Sequence, residues 1–252
     1  YREAVGMAKQ DNAQLFIATP RIQKPSEMGI FASLAKCAPA GVLVRNFSGL
    51  EYFRDKGIPV TADFSFNATN PLTVEFFKQQ GVERIAVSYD CNREQLVNLT
   101  SAVAGNLLEV VIHQHMPMFH MEHCVYCSVL SPGTNKTNCG RPCDTHLVAL
   151  RDRVGAEHTL QADVACRNTL YNATPQSGAE LVSDLLQRGV RWYRIELLEE
   201  ESSQVRQIVD LYGKLLKRQI TGQEVWKDLR AANRVGVTRG TLESKRNPLA
   251  IL

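Results

Sequence analysis

QQGVERIAVS (79–88) and QRGVRWYRIE (187–196) follow one pattern: a polar pair, a glycine, then a β-rich run. Gly81 and Gly189 fall where a helix stops and a strand begins. That is the left-handed cap position, where a Cβ is penalised. Gly41 and Gly57 take the same place ahead of other apolar runs. Working outward, the pattern predicts strands over Gln14–Ala18, Val42–Arg45, Val60–Phe64, Arg84–Ser88, Leu108–Ile112, Thr159–Val164 and Trp192–Leu197. Helices are predicted over Glu27–Lys36, Pro71–Gln80, Arg93–Ala104, Ala179–Arg188, Ser203–Lys217 and Gly222–Asn233, and residues 1–10 carry a polar helical pattern. Asn70 before Pro71 reads as a cap followed by a favoured first helical residue.

Strand starts near 14, 42, 60, 84 and 108 recur every 18 to 28 residues. Units of this length need parallel strands with helical crossovers. A doubly wound sheet fits the rhythm, and a TIM-like (β/α) barrel fits better. Arg21, Arg45, Asp63, Asp90, His113, His115, Cys166 and Glu196 all fall at C-terminal ends of different strands, which converge on one face in a barrel. Seven strands are visible and the chain does not begin with Met, so the expectation is a barrel incomplete at its N-terminus, within a fragment of a longer chain. The barrel domain is expected over 1–220, with a Cys/His-rich insertion at 116–159 that holds Pro117, Pro132 and Pro142, and a basic helical tail over 221–252.

The chain has 252 residues, 44% of them hydrophobic, enough for a large core. No apolar run reaches the roughly 18 residues of a membrane span. No secretory leader is visible, so a cytoplasmic location is expected, or a plastid one in a eukaryotic source. The N-x-[ST] triplets at 67–69 and 172–174 read as chance. The formal charge is +3, carried by the tail. From residue 220 on, Lys227, Arg230, Arg234, Arg239, Lys245 and Arg246 face only Glu224, Asp228 and Glu243. A solvated helix accounts for this, and contact with phosphates is the other reading.

All six histidines lie between 113 and 158, in HQHMPMFHMEHCVYCSVLSPGTNKTNCGRPCDTH (113–146) and at His158. Five of the seven cysteines, Cys124, Cys127, Cys139, Cys143 and Cys166, lie within 43 residues. The spacing is C-x2-C, eleven residues, C-x3-C, then Cys166 a further 22 residues on. Two close thiol pairs can form a tetrahedral set for zinc, and four thiolates equally hold an iron–sulfur cluster. Spacing alone leaves the two metals open. Cys166 in ADVACRNT (162–169) is expected to end a barrel strand and to place the centre at an active site.

His113 and His115 alternate on one strand and share a face. Buried and unpaired they would be costly, so they should meet a ligand, a carboxylate or water, and their ordinary pKa suits proton transfer. Glu196, Asp63 and Arg167 are further catalytic candidates, although Arg194 and Glu196 could be a solvent-facing pair. No G-x-S-x-G, Walker, G-x-G-x-x-G or H-E-x-x-H motif occurs.

The stretches HQHMPMFHMEHCVYCSVLSPGTNKTNCGRPC (113–143), LRDRVGAEHTLQADVACRNTLYNA (150–173), VRWYRIELL (190–198) and GVTRGTLE (236–243) resemble a known family. It is the collagenase-type peptidase family of unknown catalytic type, thirty-second of the "U" class, in its larger bacterial and plastid-type members. The resemblance covers essentially the whole chain. It implies a TIM-like barrel and relatives that bind a four-iron, four-sulfur cluster through four cysteines. Those relatives hydroxylate tRNA or ribosomal RNA pyrimidines, or ubiquinone precursors, without dioxygen, with prephenate implied as a small carboxylate oxygen donor. Carried over, the ligands are Cys124, Cys127, Cys139 and Cys166. The family places six residues between its first two cysteines where this chain has two, so Cys143 competes with Cys124 for the fourth place. A metal-dependent peptidase with Glu122 or Glu196 as base, and a zinc-stabilised scaffold, are the other readings.

Overall fold

Short apolar strands alternate with helices through the first 112 residues of the computed structural model, which describes residues 1–232 and 236–243. In chain order these are α1 (Arg2–Gln10), β1 (Phe16–Ala18), α2 (Met28–Ala35), β2 (Gly41–Val44) and α3 (Phe47–Phe53). Then follow β3 (Val60–Ala62), α4 (Pro71–Gln79), β4 (Arg84–Ala86), α5 (Arg93–Ala102) and β5 (Leu108–Gln114). Strands β1 to β5 pair in sequence order and in parallel, with Val42 opposite Val60 and Ile85 opposite Leu108. Strands β2, β3 and β5 are buried nearly throughout, as expected of a parallel sheet covered on both faces, while β1 is only part-buried. Asn70 caps α4 by accepting from Thr73 N, and Asn92 caps α5 by accepting from Gln95 N.

Gly57, Gly81 and Gly189 adopt the expected positive φ (66°, 82° and 85°). Gly41 does not: it lies inside β2, where a Cβ would fall 2.1 Å from the Phe16 ring. Close approach to a neighbouring strand, not turn geometry, selects glycine there, and Ala38 takes the left-handed conformation instead (φ 50°).

The chain then changes style. An antiparallel sheet is built from β6 (Pro117–Met121), β7 (Val148–Arg151), β8 (Glu157–Asp163) and β9 (Arg167–Tyr171), in the order β6-β9-β8-β7. Helix α6 (Val125–Leu130) follows β6 in sequence. Strand β10 (Gln176–Ser177) pairs antiparallel with the last residues of β5. Next come α7 (Val182–Gln187), β11 (Trp192–Ile195), α8 (Ser202–Leu216) and α9 (Gly222–Ala232).

These elements form two units. The first comprises, in its described parts, Tyr1–Ile112, Leu181–Arg194 and 240–243, and its core includes Phe31, Phe53, Val42, Val44, Ile85 and Leu185. The second comprises the described parts of His113–Glu180 and Ile195–Arg239. It holds a small cluster of Tyr126, Leu160 and Leu170, and α8 packs on α9, with Leu211, Leu215 and Val225 on these helices buried.

The α/β class and a parallel half-barrel sheet are thus established. Beyond β5 the same sheet takes in β10, which is antiparallel to it, and β11, which also pairs with β5. Two expectations are corrected. Thr159–Val164 is no parallel barrel strand: β8 pairs antiparallel with β7 and β9. Residues 116–159 are not irregular but carry β6, α6, β7 and the start of β8. Strands β6 and β7 are sheet edges, and β7 exposes Leu150, so neither shows the alternation of a half-buried strand. In the expected tail, α9 is helical, while Arg234, Lys245 and Arg246 lie outside the described residues. No helix among the described residues is long and apolar enough to cross a membrane.

Candidate metal centre and histidine site

The five clustered cysteines are all free thiols and all lie in the second unit. Cys124 is the N-cap of α6, and its Sγ accepts a hydrogen bond from Cys127 N at 3.4 Å. Asn168, fully buried on β9, anchors that helix end by accepting from Val125 N at 2.7 Å. Cys127 is buried on α6, with its Sγ 3.5 Å from Gly133 O. A loop brings Cys139 back towards it. Asn138 Oδ1 accepts from both Thr134 N and Asn135 N at 2.9 Å, and Cys139 N donates to Asn135 O. Gly133 lets the loop close, because a Cβ there would lie 2.3 Å from Asn138 O. Cys143 sits in a single 3-10 turn and packs with Cys124 against the Tyr126–Leu160–Leu170 cluster.

Cys166 arrives differently from the expectation. It occupies the turn between β8 and β9, not a barrel strand end. Ala165 and Cys166 are both left-handed (φ 60° and 63°), an unfavourable conformation for two successive non-glycine residues.

The thiols of these segments act on one another. Burial pushes the Cys127 thiol up from its ordinary value, and Cys139, Cys124 and Cys166 add to the effect. The Cys143 thiol is raised by burial, then by Asp144, Cys124 and Cys139. Thiolates this close repel one another unless a cation holds them. Among the described residues no three Cys, His, Asp or Glu groups are set as ligands of a single metal ion. By its chemistry the donor set would suit a soft metal: free thiols, Cys127 buried among them, carried by the α6 cap, α6, the 131–139 loop and the β8–β9 turn. Beside Cys166, Arg167 is 1% exposed and donates from Nε to Glu122 at 2.6 Å.

The histidines divide. His113 is buried on β5 and His115 follows that strand. His115 Nδ1 lies 2.8 Å from Asn172 O and its Nε2 3.5 Å from a Glu200 oxygen. Burial alone would lower the His115 pKa, but Glu200 and Asn172 outweigh it and raise it. Burial would likewise raise Glu200, yet His115 and the Leu198 N–H bring it down to about 2. His113 goes the opposite way, lowered by burial to about 4. Glu196 is half-buried, and its backbone N–H donates to His113 O at 2.8 Å. His120 Nδ1 bonds Thr169 Oγ1, His158 Nε2 faces Asp152, and His123 is exposed. Glu200 and Tyr212 are the residues that sequence reading missed. Glu200 sits in an acidic run, LLEEES, that reads as a solvated helix start, and Tyr212 sits on the apolar face of α8.

Asp63 belongs to the first unit. It is fully buried between Arg45 Nε (3.0 Å) and Arg194 Nη1 (2.7 Å), and Arg194 also pairs with Glu109. Burial would raise Asp63, but the guanidiniums of Arg194 and Arg45 hold it below its ordinary value. Arg84 joins Glu109 at 3.4 Å. These charges satisfy one another, which suits a structural network.

The described chain thus joins a half-barrel α/β unit to a second unit that carries five free thiols. A model of peptidase family U32 matches residues 1–247, and the chain belongs to that family. The solved structure of the U32 peptidase Mk0906 is 15% identical, with a TM-score of 0.38, over 46% of this chain. The match spans about half of that protein, 52%, and a likeness this distant carries no argument about site or activity. No curated protein matches the chain.

Proposed function

We propose that this chain is an iron–sulfur-dependent, oxygen-independent hydroxylase of RNA, with tRNA or ribosomal RNA pyrimidines as its substrate class. The observation that carries the reading is the buried Cys127 thiol with Cys139, Cys124 and Cys166 around it, all unoxidised. Cys124, Cys127, Cys139 and Cys166 would hold a four-iron cluster, and Cys143 is the remaining thiol. When bound, such a cluster supplies one-electron chemistry. The chain's own residues supply charge and protons. Arg167, one residue from Cys166, fixes a buried positive charge that offsets an anionic centre and suits a small carboxylate oxygen donor. His113, whose neutral form burial favours, and His115, whose charged form Glu200 favours, would serve as proton acceptor and donor. The excess of basic residues after position 220 favours a phosphate-bearing partner. In this reading the half-barrel belongs to an incomplete TIM-like barrel, and residues 116–159 are its Cys/His-rich insertion.

The test is mass spectrometry of RNA nucleosides from source cells with and without the gene. A pyrimidine heavier by one oxygen should vanish on deletion, return with the wild-type chain and fail to return with Cys166→Ser. An unchanged nucleoside profile, or full restoration by Cys166→Ser, contradicts the proposal.

A further inference from the structure

His113 is 2% exposed, yet its Nε2 has no hydrogen-bond partner. Its Nδ1 faces Tyr212 Oη at 3.4 Å, and Tyr212 Oη lies 2.7 Å from Ser177 Oγ. A buried, unsatisfied ring nitrogen is uncommon unless water or a ligand meets it. Beside it lies a cavity of about 50 Å³, lined by His113, Pro175, Glu200, Gln204, Gln207 and Ile208 and closed by Leu229. A water needs roughly 10–15 Å³ of such space and two to four polar partners. The volume admits about three waters and is small for an organic substrate. The walls offer the His113 Nε2, a carboxylate and two side-chain amides, so the cavity suits water in size and in polarity.

Glu200 is held from behind. One carboxylate oxygen faces His115 Nε2 at 3.5 Å, and the other accepts from Leu198 N at 2.6 Å. His115 Nδ1 donates to Asn172 O, so both of its ring nitrogens face acceptors and the imidazolium form is favoured. The titratable groups acting on His113 are Tyr212, Glu200 and His115, and those acting on His115 are Glu200, Glu199 and His113. Two histidines, two residues apart, are thus pushed in opposite directions with Glu200 beside both.

We propose that this cavity is a hydrated proton-transfer site, in which ordered waters join His113 Nε2 to the Glu200 carboxylate and His115 is the proton store behind it. The N–H bond at His115 Nε2 breaks, the proton passes through Glu200 onto the waters, and an N–H bond forms at His113 Nε2. No other reactant is consumed, and the proposal holds whichever metal the thiols bind.

The test joins a high-resolution crystal structure of the whole chain to a count of long-lived internal waters by 17O magnetic relaxation dispersion. Two or three cavity waters are expected, one bonded to His113 Nε2 and the chain of them ending on Glu200. Ile208→Phe should fill the cavity and remove about two long-lived waters, and Leu229→Phe does so from the other wall should the first variant not fold. An empty cavity, a His113 ring turned onto a protein partner, or an unchanged count in a folded filled variant overturns the proposal. Imidazole 15N spectra at neutral pH should show His113 neutral and His115 doubly protonated, with Glu200→Gln turning His115 neutral and leaving His113 as it was. A charged His113 or a neutral His115 in the wild type also overturns it.

Discussion

In the first unit the charged groups close on one another: Asp63, Arg45, Arg194, Glu109 and Arg84 form one paired network above a repeated apolar core. In the second unit polar groups are buried without such closure. Thiols crowd around Cys127, His113 Nε2 lacks a partner, and Cys166 rests on left-handed backbone. Stable folds satisfy their buried polar groups, and exceptions concentrate where a ligand or reaction completes the set. Under the proposed function, this difference separates a scaffold from a working region within one chain.

The largest effect that would break this contrast is loss of the centre. Cys127→Ser or Cys166→Ser should abolish iron and sulfide binding, while Cys37→Ser and Cys91→Ser, outside the cluster, should retain wild-type content. Equal metal in all four variants would dissolve the distinction. Next comes the scaffold. Asp63→Ala removes the carboxylate shared by Arg45 and Arg194, with Glu109 still beside Arg194, and should cost about 3–5 kcal/mol in urea unfolding. A loss below about 1 kcal/mol would show that the network is not structural.

Third is pH. The folded pKa of His113 is depressed to about 4, below its unfolded value of 6.5. The unfolded chain therefore binds more protons between these values, and the stabilising neutral form is lost as pH falls from 6.5 towards 4. Relative to His113→Gln, wild-type stability should decline by up to about 1.4 kcal/mol per pH unit in that window. Parallel pH profiles of the two proteins would contradict a buried neutral His113. The smallest effect is a helix cap in the first unit: Asn70→Ala should cost about 1 kcal/mol by the same unfolding measurement, with metal content unchanged.

The same contrast explains what the sequence reveals. Strands β1 to β5 and helices α4, α5 and α8 are legible within a few residues, because parallel burial gives continuous apolar runs and Asn70, Gly81 and Gly189 punctuate them. Helix α3 is not marked, since Phe47–Phe53 spans under two turns. The antiparallel sheet escapes for a physical reason: β6 and β7 are edges, and β6 opens on Pro117 with a register irregularity before Phe119. The cysteines stand out by residue type and spacing, but the turn that presents Cys166 depends on the pairing of β8 with β9, which residue type does not announce. Glu200 reaches His115 across 85 residues of chain, a tertiary contact with no local signature.

The most direct test of the central claim is anaerobic purification of the chain, followed by iron, sulfide and zinc analysis with a visible absorption spectrum. The account predicts about four irons and four sulfides per chain and a broad brown absorption that disappears in Cys166→Ser. One zinc per chain and no iron would contradict it and leave the thiols as a structural zinc site.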